Sequence, residues 1–255
     1  MLIEMPERHH QPCPFTQCGS SDAFSYNTDK QTGHCKSCNS GYPSTKEVFS
    51  WASEDYPVQE RKPTVTHREV VGSVYKGIRS IDPSVCELYG IQLQLDAEGS
   101  PVRYAFKWPN NVKYRGYDEK KFWLKERSSL DDLFGPDFNS GSSKRIYITE
   151  GEFDAASLYQ ILGKSFPVKS LPSSSIGEKF IKNNLKYLST FKEIVYAGEL
   201  DDAGRRAADK LYAAFPDRFW YVPMTECKDA NEFLETGKQD NLMWAARSPQ
   251  RYTPE

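Results

Sequence analysis

Four cysteines crowd the start of the chain, spaced as Cys13-x4-Cys18, then sixteen residues, then Cys35-x2-Cys38. Two short-spaced pairs separated by enough chain for a hairpin are what a tetrahedral metal site asks for. Each pair forms a knuckle offering two thiolates, and the hairpin brings the knuckles together. The spacing predicts one structural zinc ion on Cys13, Cys18, Cys35 and Cys38. Phe24–Tyr26 and Gly33–Cys35 are the expected hairpin strands, and Gly19 the residue that turns the backbone around the Cys18 sulfur. Too few apolar residues lie here for a core, so the metal is expected to supply the folding free energy. His9, His10 and His34 are possible replacement ligands, although His34 adjoins Cys35 and joint ligation by neighbours is awkward.

The remaining cysteines, Cys86 and Cys227, are isolated; Cys86 reads as a small buried hydrophobe. A length of 255 residues allows one to two domains, and 38% hydrophobic with 27% charged residues is enough to bury a core. Apolar runs fall far short of the roughly 20 residues that cross a bilayer, and the first residues lack the apolar segment of a secretory signal. A cytosolic protein with no membrane partner is expected, and in that reducing compartment a tight cysteine cluster points to metal rather than disulfides. The net charge of −2 neither suggests nor excludes a nucleic-acid partner, because a basic groove and an acidic site cancel in the sum.

Residues 1–42 therefore read as a zinc-binding module. Residues 43–66 read as a linker of Pro, Ser, Thr and charges, within which Phe49 and Trp51 are candidates to dock on a neighbour. Residues 67–143 form a basic, strand-rich subdomain: VRYAFKW, a turn at Pro109-Asn110-Asn111, VKYRGY, then KFWLK. From 144 to 255 strands alternate with helices. The expected strands are Arg145–Thr149, Val168–Leu171, Glu193–Ala197 and Arg218–Val222; the expected helices are Phe153–Leu162, Gly177–Phe191 and Ala203–Phe215. That alternation predicts a mostly parallel sheet with helices on both faces. The closing RSPQRYTPE reads as linker.

Glu150 follows one of these strands, and Glu199, Asp201 and Asp202 follow another, each just before a helix. In such a sheet ligands sit beyond the carboxyl ends of the strands, so adjacent strands would bring these carboxylates together. Crowded carboxylates repel unless a cation sits between them, and hard oxygen donors suit magnesium or manganese. The alternative is that each acid merely answers a helix dipole.

Glu150-Gly151 with Asp154, then Glu199, Asp201, Ala203 and Gly204 after a later strand, resembles the Toprim fold of topoisomerases, primases, some nucleases and recombination mediators. A zinc ribbon, a linker and a basic strand-rich segment ahead of that core are similar to the primase half of the primase-helicases of short-tailed bacteriophages, related to the mitochondrial replicative helicase. Leu133-Phe134-Gly135 and Cys227-Lys228-Asp229-Ala230-Asn231-Glu232 are further local matches. Glu199 stands where the family has Asp. The resemblance implies Glu150, Glu199 and Asp201 as catalytic magnesium ligands, with Asp154 and Asp202 as additional candidates.

Between Arg103 and Arg127 eight basic residues face Asp118, Glu119 and Glu126, with aromatics interleaved. Basic and aromatic side chains on strands suit a nucleic-acid strand or a nucleotide triphosphate, and also fit a solvated sheet face. Lys113, Arg115, Lys121, Lys125, Lys228, Arg205 and, in the zinc module, His34 are the candidate nucleotide or DNA contacts. The leading expectation is a DNA-dependent RNA primase. It would make short primers on single-stranded DNA from ribonucleoside triphosphates, with a replicative helicase, fused or separate, and a DNA polymerase as partners, in the host cytoplasm if phage-encoded. A Toprim nuclease and a non-catalytic zinc-Toprim recombination mediator remain as alternatives. The chain contains no G-x-x-x-x-G-K-[ST] loop, so no helicase motor is expected within it.

Overall fold

The computed structural model describes residues 13, 18, 20–21, 23–27, 32–38, 41–42, 68–138 and 144–254. Gly19, His9, His10 and the 43–66 segment with Phe49 and Trp51 lie outside them. The chain divides into two compact units, residues 1–66 and 67–255.

In the first unit β1 (Phe24–Asn27) pairs antiparallel with β2 (Thr32–Cys35), and β2 with β3 (Gly41–Tyr42). Phe24 stands opposite Cys35; both are fully buried, with Cys13, Cys18 and Ala23 packed around them. The Phe24 ring lies directly on Gly33, where a Cβ would collide with it, so glycine is what lets this small layer close.

The second unit holds two five-stranded sheets. The first is antiparallel, in the order β4 (Gly72–Val74), β5 (Ile91–Leu95), β6 (Pro101–Trp108), β7 (Asn111–Gly116) and β8 (Phe122–Leu124). The short helix α1 (Pro83–Tyr89) precedes β5; Pro83 opens it and Gly90, at φ 65°, closes it. The hairpin expected around Pro109 is present, but its turn is Pro109-Asn110 alone. Asn111 starts β7 because its side chain is occupied there, accepting from Val112 N–H and Glu126 N–H and donating to Ser128 Oγ.

The second sheet is built from β9 (Arg145–Thr149), α2 (Glu152–Ile161), β10 (Val168–Ser170), α3 (Glu178–Leu188), β11 (Glu193–Tyr196), α4 (Asp202–Ala214), β12 (Phe219–Tyr221), α5 (Ala230–Glu235), α6 (Gln239–Arg247) and β13 (Gln250–Arg251). Its order is β10-β9-β11-β12-β13, with the first four parallel and β13 antiparallel on β12. The C-terminal stretch read as linker is therefore structured. Backbone pairing makes the edge strand, and Tyr252 is buried against Phe219 with its hydroxyl donating to Asp209.

Helices cover both faces of this sheet. Phe180, Leu188, Ala207 and Leu211 of α3 and α4 pack with Ile146, Ile148 and Ile194. On the other face Phe153, Ala155 and Leu158 of α2, with Phe233 and Leu242, pack with Tyr147 and Val195. This second cluster runs on into Ile91, Leu93, Tyr104, Phe106 and Trp108 of the antiparallel sheet, so the two sheets share one core. Leu133-Phe134-Gly135 clasps them: Phe134 bridges Ser170 at the β10 edge and packs on Trp108, Tyr89 and Phe106. Among the described residues no helix is long and apolar enough to cross a membrane.

Phe153 meets Tyr104 and Phe106 edge-on, both at 5.0 Å between ring centroids. Replacing it with alanine is expected to cost about 3–5 kcal/mol in urea unfolding; a loss below about 1 kcal/mol would show that the sheets dock without it.

Candidate active site and metal centre

The four cysteine sulfurs of the first unit lie within 4.8 Å of one another. Cys13 and Cys38 Sγ are 3.8 Å apart, as are Cys18 and Cys35 Sγ. A disulfide needs about 2.05 Å. A tetrahedron with zinc–sulfur bonds of about 2.3 Å has edges of about 3.8 Å. The group thus has the size and chemistry to hold one zinc ion. His34 is exposed on β2, opposite Ser25, and is not part of this group. Purified protein is expected to carry close to one zinc per chain, and Cys35→Ser or Cys38→Ser to lose it; full zinc content in both variants would exclude the site.

The acidic residues gather in the second unit. Glu150 directly follows β9 and Glu199 follows β11, and these strands are parallel neighbours. Both line a cavity of about 310 Å³ together with Asp154, Asp229, Arg79, Arg115, Lys120, Phe122 and Lys228. Glu150 is wedged tightly: side chains at Gly198 or Gly204 would run into its Oε1, so two glycines leave the room the carboxylate occupies. The buried Tyr196 donates its hydroxyl proton to Glu150 Oε1 at 2.7 Å from the space above Gly198.

Burial raises the Glu150 pKa above the usual carboxylate range, and the charges of Asp201 and Glu199 push it further while the Tyr196 hydrogen bond opposes them. Glu199 is raised by burial and by Asp201 and Asp229, with Lys228 and Lys120 pulling it back. Asp201 caps α4 by accepting the Ala203 and Gly204 N–H groups. It does not line the cavity, but its charge acts on both glutamates. Asp202 is exposed in the first turn of α4. No set of three carboxylates among the described residues closes as tightly as the cysteines.

Of the expected cations, Arg115 and Lys228 line this cavity. Lys113 does not. It is 15% exposed, pairs with the 5% exposed Glu152 at 2.9 Å and donates to Pro172 O, bridging the two sheets beside a second cavity of about 290 Å³. Lys121, Lys125 and Arg205 line neither cavity. Arg79 and Lys120 were missed by sequence reasoning. Arg79 sits at φ 51° beside Ser80 at φ 63°, in a turn closed by paired hydrogen bonds between Ile78 and Ile81. Asn231 donates to Arg79 O and Gln160 to Ser80 O, holding a backbone that non-glycine residues rarely adopt. The guanidinium lies over Phe153 and pairs with Glu235. The Cys227–Glu232 motif thus works through its helix start: Asp229 caps α5, Glu232 reaches back to Lys228 N–H, and Asn231 ties α5 to Ser157 and to the Arg79 turn.

Residues 147–234 match the family model of Toprim-like domains. The chain is 28% identical to the DNA helicase/primase of Enterobacteria phage T3 over an alignment of 254 residues that covers 92% of this chain and 42% of that protein. The chain therefore spans less than half the length of that relative. The crystal structure of the primase fragment of the bacteriophage T7 primase-helicase is similar at 25% identity and a TM-score of 0.59, covering 93% of this chain and 98% of the fragment. T7 primase domains bound to an RNA/DNA hybrid and dTTP, in complex with the lagging-strand DNA polymerase, share the fold at 24% identity and a TM-score of 0.60, over 71% of this chain and 94% of that one. The resemblance carried by the acidic motifs and the cysteine spacing points to the same relatives.

Asp154 is half-buried in the cavity wall, and burial, reinforced by Asp229, pushes its carboxyl up to about 8. The folded protein keeps a proton that the unfolded chain releases at about pH 4. This contribution to stability is therefore complete below about pH 4 and is lost as pH rises towards about 8. In magnesium-free buffer Asp154→Asn is expected to flatten that decline; an unchanged slope in urea unfolding would assign it to other groups.

Proposed function

We propose that this chain is a DNA-dependent RNA primase, with residues 1–42 as the template-reading zinc module, 43–66 as linker, 67–143 as the basic subdomain and 144–255 as the Toprim subdomain. The observation that carries the reading is one cavity at the carboxyl ends of β9 and β11. There Glu150, Glu199 and Asp154 meet Arg79, Arg115, Lys120 and Lys228. Carboxylates alone would suit a cation and cations alone an anion. Both together suit a metal-bound phosphate, the chemistry of nucleotidyl transfer.

Glu150, Glu199 and Asp201 would hold magnesium or manganese, with Asp154 and Asp202 as further candidates; the bound ion would supply positive charge to the attacking and leaving oxygens. An all-oxygen donor set fits such an ion, and magnesium typically takes few protein ligands and keeps water and phosphate for the rest, which suits carboxylates spaced more openly than the cysteines. Arg115, Lys228, Arg79 and Lys120 bind the triphosphate. The 3′-hydroxyl oxygen of one nucleotide forms a bond to the α-phosphorus of the next, and pyrophosphate leaves with the electrons of the broken bond. Lys121, Lys125, Arg205 and His34 are assigned to template or primer contacts outside the cavity. The partners are single-stranded DNA, ribonucleoside triphosphates and the RNA primer. The T3 relative is a helicase/primase and the T7 primase domains contact a polymerase, which supports a replicative helicase and a DNA polymerase as further partners here.

Two conservative variants isolate charge from fold. Glu150→Gln keeps an oxygen for the Tyr196 hydroxyl, and Asp201→Asn keeps the helix cap. With single-stranded DNA, magnesium and labelled ribonucleotides, the wild type is expected to release oligoribonucleotides, and each variant to lose about 10²-fold or more of that rate. Full activity in both would sink the assignment, and shortened DNA in place of RNA products would identify a nuclease.

A further inference from the structure

Strand alternation splits the basic segment between two faces. By register Leu93, Tyr104, Arg115 and Phe122 share one row, and Ile91, Phe106, Lys113 and Leu124 the next. These rows supply the core and the cavity walls. The intervening rows are different. Gln92, Ala105, Tyr114 and Trp123 form one, and Ser73, Gln94, Arg103 and Gly116 the other. Lys121 pairs through its carbonyl with Gly116 N–H, and Lys125 through its N–H with the Val112 carbonyl, so both continue the rows that flank Trp123.

This outer face is pre-arranged. The Arg103 guanidinium lies 4.2 Å from the Tyr114 ring and 5.7 Å from that of Trp123, and the two rings are 5.6 Å apart. Gln94 accepts from Arg103 Nε at 2.6 Å and donates to Ser73 Oγ at 3.2 Å. Lys107, Lys121 and Lys125 are exposed around this stack. The rows hold no carboxylate; Glu119 stands at the edge, beside Gly116. The edge strand β8 joins the two sides, since Phe122 lines the acidic cavity and Trp123 belongs to the outer row.

We propose that the outer face of this sheet is a second contact surface for the single-stranded DNA template, with bases stacked on Tyr114 and Trp123 and phosphates held by Arg103, Lys121 and Lys125. A strand leaving the cavity over Phe122 rounds the β8 edge onto Trp123. Cation-flanked rings on a flat sheet bind single strands whatever their sequence, because every base has a π face and every linkage a charge. The proposal rests on the primase reading for its ligand and extends it to residues that the cavity leaves unused.

The test is fluorescence anisotropy of the full chain with a labelled oligodeoxythymidine of about twenty nucleotides, and the RNA equivalent in a second arm, across a salt series. Trp123→Ala is expected to weaken binding about 10-fold. The double variant Lys121→Glu/Lys125→Glu is expected to weaken it further and to lower the slope of log affinity against log salt by about 1 to 2. The two lysines are exposed, so this variant remains decisive if the tryptophan change lowers the melting temperature. A loss with the DNA oligomer supports the surface, and a loss confined to the RNA oligomer overturns it. Binding within about twofold of wild type in both variants overturns it; if the wild type still makes oligoribonucleotides, the primase reading stands, and if it neither binds nor polymerises, both fail.

Discussion

The cavity depends on the packing of one ring. Phe153 sits between Glu152 and Asp154 at the start of α2, and its edges meet Tyr104 and Phe106 of the antiparallel sheet. Because side chains of that sheet alternate, the row that offers Tyr104 to Phe153 also offers Arg115, whose guanidinium lies 5.5 Å from the same ring centre. Arg79 comes to the ring from the turn before α1. The hydrophobic contact therefore does electrostatic work: docking the two sheets brings cations from one subdomain to carboxylates of the other. The largely buried Lys113–Glu152 pair adds a charged link across the same junction. Such a pair adds little net stability after desolvation, but a misaligned interface would leave either charge buried and unpaired.

The same packing leaves the acidic side under tension. Glu150 and Glu199 are each raised by burial and by neighbouring negative charge, and the tight seat between Gly198 and Gly204 prevents Glu150 from retreating. Tyr196 stabilises it from below with a hydrogen bond. A divalent cation or a protonated state would relieve the remaining repulsion, and on the proposed reading an incoming phosphate would be met by Arg115, Arg79, Lys120 and Lys228. The longer Glu199, where the Toprim resemblance has Asp, belongs to this crowding: it too lines the cavity and feels Asp201 and Asp229.

Where the chain is regular, its fold was legible. Apolar runs marked β9, β10, β11 and β12, helical periodicity marked α2, α3 and α4, and the acids at strand ends marked one wall of the cavity. The rest was hidden for identifiable reasons. The seven-residue α1 is too short to show a helical period, and β13 is a polar edge strand whose tail is anchored by Tyr252. Arg79 reaches the site through two positive-φ residues, Arg79 and Ser80, where turn chemistry favours Asn-Gly, so nothing local announced it. The opposite orientations of Arg115 and Tyr114 were written in the alternation of VKYRGY; treating the segment as one basic patch merged two faces that only the register separates.

The cysteine group and the carboxylate group differ as their donors require. The cysteines close to within 4.8 Å around a spot beside the buried Phe24, the arrangement by which a four-coordinate zinc ion would replace a core too small to fold unaided. The carboxylates converge on an open cavity without closing on each other, although Glu150 is individually clamped. On the proposed primase reading the site would admit a triphosphate beside an ion, and such a site cannot be sealed by protein ligands alone. Its precision has to come from fixing each carboxylate separately, and the Gly198, Gly204 and Tyr196 seat does that for Glu150 while leaving the facing wall to the cations.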